Sequence, residues 1–180
     1  VRSRRQRQMC IRDSCNNEIA HLNLSIGFWN VENLFDLIDH PDKRDEEFAL
    51  NGRKNVTQEI YNLKIKNSAE VLSDLDVDVL GLCEVENENV LNDLNNAFEN
   101  REYKIIHYES PDERGIDNAL LYDPKKFKVL SSKPIRNVLG GDDKTRDILY
   151  IKGEFNLILI HIFVNHWPSN YENKKKISTF

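Results

Sequence analysis

Polar side chains follow three apolar stretches of the sequence, each at the point where the stretch ends. The side chains in question are Asn30 and Glu32, Glu84 and Glu86, and Asn165 and His166. Carboxylate and amide oxygens are the ligands that Mg²⁺ and Mn²⁺ prefer, and no zinc-type His/Cys cluster competes with them. A divalent ion would stabilise charge on a phosphoryl oxygen, and His166 could relay a proton or donate a hydrogen bond. The residue types therefore indicate hydrolysis of a phosphate ester.

Each of these residues has a plainer explanation when it is taken alone. Glu84 could be a solvated acid that ends a strand, and a lone histidine such as His166 is often structural. Arg114 and Arg146 lie in polar, turn-like contexts, where solvated arginines are expected and phosphate contacts are the exception. One strand that ends in polar residues would mean little. Three such strands suggest that their ends lie together and form one site.

The elements that must position these groups are read from the apolar pattern. The apolar run 78–86 is too short for a helix. It predicts a buried strand that carries its acidic residues at the C-terminal end. A first strand is predicted over 22–31, and a long loop follows over 36–56. Helical periodicity begins after Thr57, and a second apolar helical stripe covers 90–98.

The second half of the sequence predicts further strands. They cover 103–108 and 116–122, and we expect 127–135 to pair with the latter as a hairpin neighbour. Strands over 147–155 and 157–165 are joined by a tight polar turn. The alternation of strands with two helices indicates a mixed α/β or α+β sheet protein.

Length and charge limit the class of protein. The 180 residues suit one domain, and 39% hydrophobic residues suffice for a core. Residues 1–14 hold five of the 25 basic groups and one of the 30 acids, so the remainder carries 20 basic and 29 acidic groups, a net charge of −9. Such a body does not attract nucleic acid through its overall field. Any phosphate must therefore be held locally, by a few basic side chains or a metal.

The first fourteen residues have no apolar periodicity. Residues 9–13 read Met-Cys-Ile-Arg-Asp, the translation of ATG-TGT-ATA-AGA-GAC, which resembles an adapter used in sequencing libraries. We therefore interpret residues 1–14 as a foreign segment and 15–180 as the domain. No apolar stretch has the length of a membrane span. We expect a monomer, and the cytoplasm is the slightly favoured compartment.

Five blocks of this sequence, in order, resemble the endonuclease/exonuclease/phosphatase superfamily. They are 27–36 (GFWNVENLFD), 81–87 (GLCEVEN), 110–122 (SPDERGIDNALLY), 145–149 (TRDIL) and 164–169 (VNHWPS). The resemblance implies a deoxyribonuclease I-like fold, a four-layer α/β sandwich of two mixed sheets flanked by helices. It also implies hydrolysis of phosphodiester or phosphomonoester bonds with a divalent metal, Mg²⁺ or Mn²⁺.

The resemblance assigns roles by position. Asn30 and Glu84 match the family's metal ligands, and Glu32 lies where some relatives carry an acid near the metal. His166 matches the histidine that contacts the scissile phosphate, and Asp117 is the candidate for the acid that orients it. Two further residues are expected on the phosphate side, namely Arg114 and Asn165.

The sequence lacks two blocks that the family pattern continues with, Gly-Asp-x-Asn and Ser-Asp-His. We therefore expect an incomplete domain of low activity that leaves a sheet edge uncovered. The expected function is a metal-dependent phosphoesterase, a nuclease or related phosphodiesterase, with a phosphate ester or nucleic acid as partner. A non-catalytic binding module and a phosphomonoesterase or lipid-headgroup phosphodiesterase on the same fold remain as alternatives.

Overall fold

A computed structural model describes residues 23–137 and 144–167 of the chain. The segment 1–14, for which we expect a foreign origin, lies outside the described residues. Within those residues, no helix is both long enough and apolar enough to cross a bilayer.

The first sheet contains four strands in the order β1-β2-β4-β3. These are β1 (Ile26–Leu34), β2 (Val79–Val85), β3 (Lys104–His107) and β4 (Asp117–Tyr122). β1 and β2 are parallel, whereas β4 runs antiparallel to both of its neighbours. Every residue of β2 except Glu84 is buried, as its continuous apolar run predicts for a strand covered on both faces.

Two helices cover one face of the first sheet. α1 (Gln58–Leu75) connects the parallel strands β1 and β2, and α2 (Glu88–Asn96) follows β2 directly. The side chains of Thr57 and Asn87 cap them by accepting hydrogen bonds from backbone N–H groups of the first turn. Both helices bury the apolar stripe that the sequence predicts, which confirms their assignment.

The second sheet is an antiparallel meander in the order β5-β6-β7. Its strands are β5 (Lys128–Ile135), β6 (Ile148–Phe155) and β7 (Ile158–Val164). The expected pairing of β5 with β4 is therefore wrong, because β5 pairs with β6 instead. The turn that precedes β5 carries the chain into the other sheet, and Phe127 is completely buried between the two sheets.

The two sheets pack face to face, with one apolar core between them and another between the first sheet and the helices. The inter-sheet core consists of Val79, Leu120, Phe127, Leu149, Ile151, Phe155 and Val164. This confirms the expected α/β architecture of two sheets with outer helices, although the helices described cover only the first sheet. The packing brings the C-terminal end of β7 to the C-terminal ends of β1 and β2.

Candidate active site

The parallel pair β1 and β2 is irregular at its C-terminal end. Asn30 pairs with Cys83 and Leu34 with Val85, so three residues of β1 stand opposite Glu84 alone. Glu84 has a φ of 64°, and within the β1 bulge Glu32 and Asn33 have φ values of 55° and 60°. Side-chain-bearing residues seldom adopt this left-handed backbone, which costs about 1 to 3 kcal/mol per residue, and such outliers cluster at functional sites.

The bulge aims the carboxylate of Glu84 at the ends of β1 and β7. Its Oε2 accepts a hydrogen bond from the backbone N–H of Asn33 at 3.0 Å, and its Oε1 lies 3.3 Å from Nε2 of His166. The side chain of Glu84 is only 14% exposed. The structure thus brings together three polar strand ends that are far apart in sequence.

Asn30 and Glu32 flank this carboxylate on β1. The amide oxygen of Asn30 accepts from the N–H of Glu32 at 2.8 Å, while the side chain of Glu32 is exposed. The ammonium group of Lys64 donates to the carbonyl oxygens of Glu32 and Asn33 at 2.5 and 2.8 Å. Burial lowers the pKa of Lys64, although the charges of Glu32 and Glu84 oppose that shift. Sequence reasoning missed Lys64, because nothing in a helical lysine indicates that it contacts a strand bulge.

His166 lies against Glu84 with a half-buried ring. Burial is the main cause that lowers its pKa, and the positive charge of Arg146 adds to it, so the imidazole is mainly neutral at pH 7. Its Nδ1 is buried and has no hydrogen-bond partner among the described residues.

Arg146 holds the backbone behind His166. Its Nη1 lies 3.0 Å from Oδ2 of Asp112, and its Nη2 donates to the carbonyl of Trp167 at 3.2 Å. Arg146 is 5% exposed and Asp112 is 4% exposed, so the expectation of a solvated arginine is wrong. The sequence block TRDIL was the signal for this residue, but sequence alone could not show that it is buried.

Arg114 and Asn165 lie at the margin of the site. The Nε of Arg114 is 3.5 Å from Oδ1 of Asp112, and half of its side chain is exposed. Its charge helps to lower the pKa of His166. The amide nitrogen of Asn165 donates to the carbonyl of Phe163 at 3.3 Å. Because half of its side chain is exposed, Arg114 can turn towards an anionic ligand.

Asp117 does not pair with His166, contrary to the expectation that it orients that ring. Its Oδ2 lies 3.2 Å from Nε2 of His107, and its Oδ1 accepts from the N–H of Ser110 at 2.9 Å. The reason is the alternation of β4, which places Asp117 on the same side as Ala119, facing the helices. His166 follows β7 and approaches from the other sheet.

The donors at Glu84 suit a hard divalent cation. Glu84, Asn30 and Glu32 offer only oxygen atoms, and Oε1 of Glu84 has no partner among the described residues except the imidazole of His166. Magnesium usually keeps several waters and takes one or two protein carboxylates, so this small donor set fits it better than a zinc-like cage.

The sequence profile of the Endonuclease/Exonuclease/phosphatase family matches residues 25–179. No curated protein sequence gives a significant match. Among solved structures, selenomethionine-labelled TDP2 from Caenorhabditis elegans is similar, with a TM-score of 0.55 and 19% identity over 85% of this chain and 38% of that one.

Two further structures share the fold. TDP2 from D. rerio, solved with a single-strand DNA product, has a TM-score of 0.53 and 18% identity over 85% of this chain and 49% of that one. ANGEL2, described as a 2',3'-cyclic phosphatase, has a TM-score of 0.51 and 18% identity over 78% of this chain and 39% of that one. The chain thus spans less than half the length of these structures. The profile match and the two-sheet fold together show that the chain belongs to the endonuclease/exonuclease/phosphatase family.

Proposed function

We propose that this chain carries part of the active site of a divalent-metal-dependent phosphoesterase that hydrolyses phosphodiester bonds. The observation that supports this most is Glu84, a largely buried carboxylate on a strained bulge that meets both the end of β1 and the imidazole of His166. A carboxylate held in this way has a fixed direction and little solvent to screen it.

Asn30, Glu84 and Glu32 are the residues that would hold Mg²⁺ or Mn²⁺. When bound, the ion supplies positive charge that stabilises the developing charge on a phosphoryl oxygen. The hydrogen bond from the N–H of Asn33 fixes one oxygen of Glu84, and Lys64 fixes the carbonyl groups of the bulge. These contacts orient the metal ligands, as supporting hydrogen bonds do in other metal sites.

His166, Asn165 and Arg114 form the phosphate side in this proposal. A neutral imidazole can donate a hydrogen bond to a phosphoryl oxygen or pass a proton, and Arg114 can pair with the phosphate charge. Arg146 and Asp112 keep the His166 backbone in place. Asp117 does not contact the phosphate in this proposal. Its carboxylate accepts a hydrogen bond from the N–H of Ser110 and so supports the segment that carries Arg114.

The substrate class follows from charge and from the family. The acidic body, with a net charge of −9 outside residues 1–14, favours recognition of a few phosphates over coating of a long nucleic acid. Single-stranded DNA and a cyclic phosphate occur in the descriptions of two proteins with this fold. We therefore propose a phosphodiester in a nucleic-acid end or a small nucleotide as the substrate.

The test is hydrolysis of bis-p-nitrophenyl phosphate and of a labelled single-stranded oligonucleotide, with Mg²⁺ or Mn²⁺ and with EDTA. Glu84→Gln should lower metal-dependent turnover at least tenfold, because an amide cannot replace the charge of the carboxylate. Glu70→Gln on the exposed side of α1 is the control and should leave turnover unchanged.

Other results would favour the alternative functions. Turnover of p-nitrophenyl phosphate or sphingomyelin in preference to both diesters would favour the phosphomonoesterase or lipid-headgroup alternative. Metal binding without turnover of any ester would favour a binding module. Equal turnover by Glu84→Gln and the unaltered chain would overturn the proposed site.

A further inference from the structure

Three metal-ligating side chains meet at the ends of β3 and β4, on the helix-facing side of the first sheet. β3 and β4 are antiparallel, and His107 pairs with Ala119. Continuing that register places Glu109 opposite Asp117, with His107 as its diagonal neighbour on the same face. The strand register thus directs one imidazole and two carboxylates to one point.

The ligand atoms of His107, Glu109 and Asp117 all lie within 4.8 Å of one another. The Nε2 of His107 and the Oδ2 of Asp117 are 3.2 Å apart, with side chains only 5% and 1% exposed. Zinc bonds of about 2.0 to 2.1 Å in tetrahedral geometry separate two ligand atoms by about 3.3 to 3.4 Å. Both atoms could therefore bind one metal ion with little movement of either side chain.

One neighbour of this cluster favours the binding of a cation and another disfavours it. The N–H of Ser110 holds the other oxygen of Asp117 at 2.9 Å, the kind of contact that orients a metal-binding carboxylate. The ammonium group of Lys43 opposes a cation, since it lies 3.7 Å from Glu109 and donates to the carbonyl of Ser110 at 3.3 Å. Glu109 is 59% exposed, so it can turn away from Lys43 towards an ion.

We propose that His107, Glu109 and Asp117 form a second metal site that binds a transition-metal ion of the zinc class. An imidazole with two carboxylates favours such an ion over Mg²⁺. The site is separate from the Glu84 carboxylate, which meets the ends of β1 and β7, and it does not depend on the proposed phosphoesterase activity. A bound ion would fix the turn from Glu109 to Asp117, which carries Asp112 and Arg114.

The proposal is tested with Co²⁺, a spectroscopic probe for zinc sites, in excess Mg²⁺ that occupies oxygen-rich sites. The d–d absorption of one equivalent of Co²⁺ should appear, and Zn²⁺ should displace it. His107→Gln should abolish that absorption, and Glu109→Gln should weaken Co²⁺ binding at least tenfold. Because Glu109 is largely exposed, the second variant should fold normally, as circular dichroism would show.

Matched variants separate this site from other histidines and from Glu84. His161→Gln alters an exposed histidine on β7 that contacts Tyr150, and it should leave Co²⁺ binding unchanged. Glu84→Gln should also leave it unchanged. Lys43→Met should tighten Co²⁺ binding severalfold, because it removes the competing charge and keeps the aliphatic stem against Gly115. Equal Co²⁺ affinity in Glu109→Gln, Lys43→Met and the unaltered chain would overturn the proposal, as would absence of the d–d absorption.

Discussion

Arg146 shows how a single buried side chain supports the site. Its guanidinium joins Asp112 to the carbonyl of Trp167, so it connects the turn before β4 with the residue after His166. The Nε of Arg146 is buried without a partner among the described residues. The pair is almost completely removed from water, so the loss of one partner would leave a buried charge without its buried counter-charge.

Arg146→Met should therefore lower the free energy of unfolding by about 3 kcal/mol, because the buried Asp112 would lose its buried cation and keep only the longer contact to the half-exposed Arg114. Arg44→Met is the matched control, since Arg44 and Glu113 form an exposed ion pair with 73% and 46% of their side chains accessible. We expect that change to cost less than about 1 kcal/mol. Urea denaturation measures both, and equal losses would contradict a special role for Arg146.

Glu86 is a buried acid that holds the long loop after β1. Its Oε2 accepts from the N–H of Asp36 at 2.6 Å, and it is 7% exposed. Burial, together with the charges of Asp36 and Asp45, raises its pKa to about 8. Because the folded pKa lies above the unfolded one, the folded state binds this proton more tightly. The stability that Glu86 contributes therefore falls as pH rises from about 4.5 to about 8.

Glu86→Gln should remove that pH dependence, because an amide stays neutral and can still accept from Asp36. At pH 8 the variant should be more stable than the unaltered chain, by on the order of 1 to 3 kcal/mol, and near pH 5 the two should be similar. Urea denaturation with EDTA at both pH values is the measurement. A stability difference that does not change with pH would show that Glu86 is ionised throughout.

The sequence predicts which polar side chains lie at strand ends. It does not predict the position of a side chain whose contacts come from distant parts of the chain. Glu84 and His166 could be found because each follows an apolar run that must be buried. Asp117 and Arg146 could not be placed, because their partners come from other strands and loops. Burial of an arginine depends on the whole fold, and no local pattern encodes it.

Among the secondary-structure elements, β6 passes very close to the residue that precedes β5. The ring of Phe127, which is completely buried, packs directly against the backbone of Gly153, and a methyl group there would overlap the ring. The glycine is thus required by space, and it allows the chain to cross from the first sheet to the second. The sequence could not predict this crossing, because an apolar run shows that a strand exists but not which strand it pairs with.

Gly153→Ala should destabilise the protein by about 3 kcal/mol, because the added methyl group forces Phe127 out of its position. Gly27→Ala is the comparison, since a methyl group there would meet only side chains, Val77 at 3.2 Å and Leu80 at 3.7 Å. We expect a smaller loss, below about 1 kcal/mol. Thermal unfolding ranks the two variants, and the reverse order would contradict this packing.

In the molecule as a whole, apolar side chains lie exposed on β1 and β7, which are each one of the two edge strands of their sheets. They are Ile26, Phe28, Ile158, Leu159 and Phe163, each 48 to 62% exposed. The second sheet has three described strands against four in the first. Clustered exposed apolar side chains of this kind favour association with other surfaces.

Phe28→Thr should therefore reduce binding of the dye ANS and any association seen by sedimentation at rising protein concentration. The threonine suits a strand, and the phenylalanine is 55% exposed, so the stability should change by no more than about 1 kcal/mol. Leu130→Thr on β5, at a position 44% exposed, should have less effect on both readouts. Equal effects of the two changes would indicate that the β1 edge is not the associating surface.

Direct Mn²⁺ binding tests the proposed metal site at Glu84 without any assumption about the substrate. Electron paramagnetic resonance of free Mn²⁺, titrated with protein, should show one site that Mg²⁺ competes for. Glu84→Gln should weaken this binding at least tenfold, whereas Glu109→Gln and Glu70→Gln should not. Unchanged Mn²⁺ affinity in Glu84→Gln would contradict the assignment of Glu84 as a metal ligand.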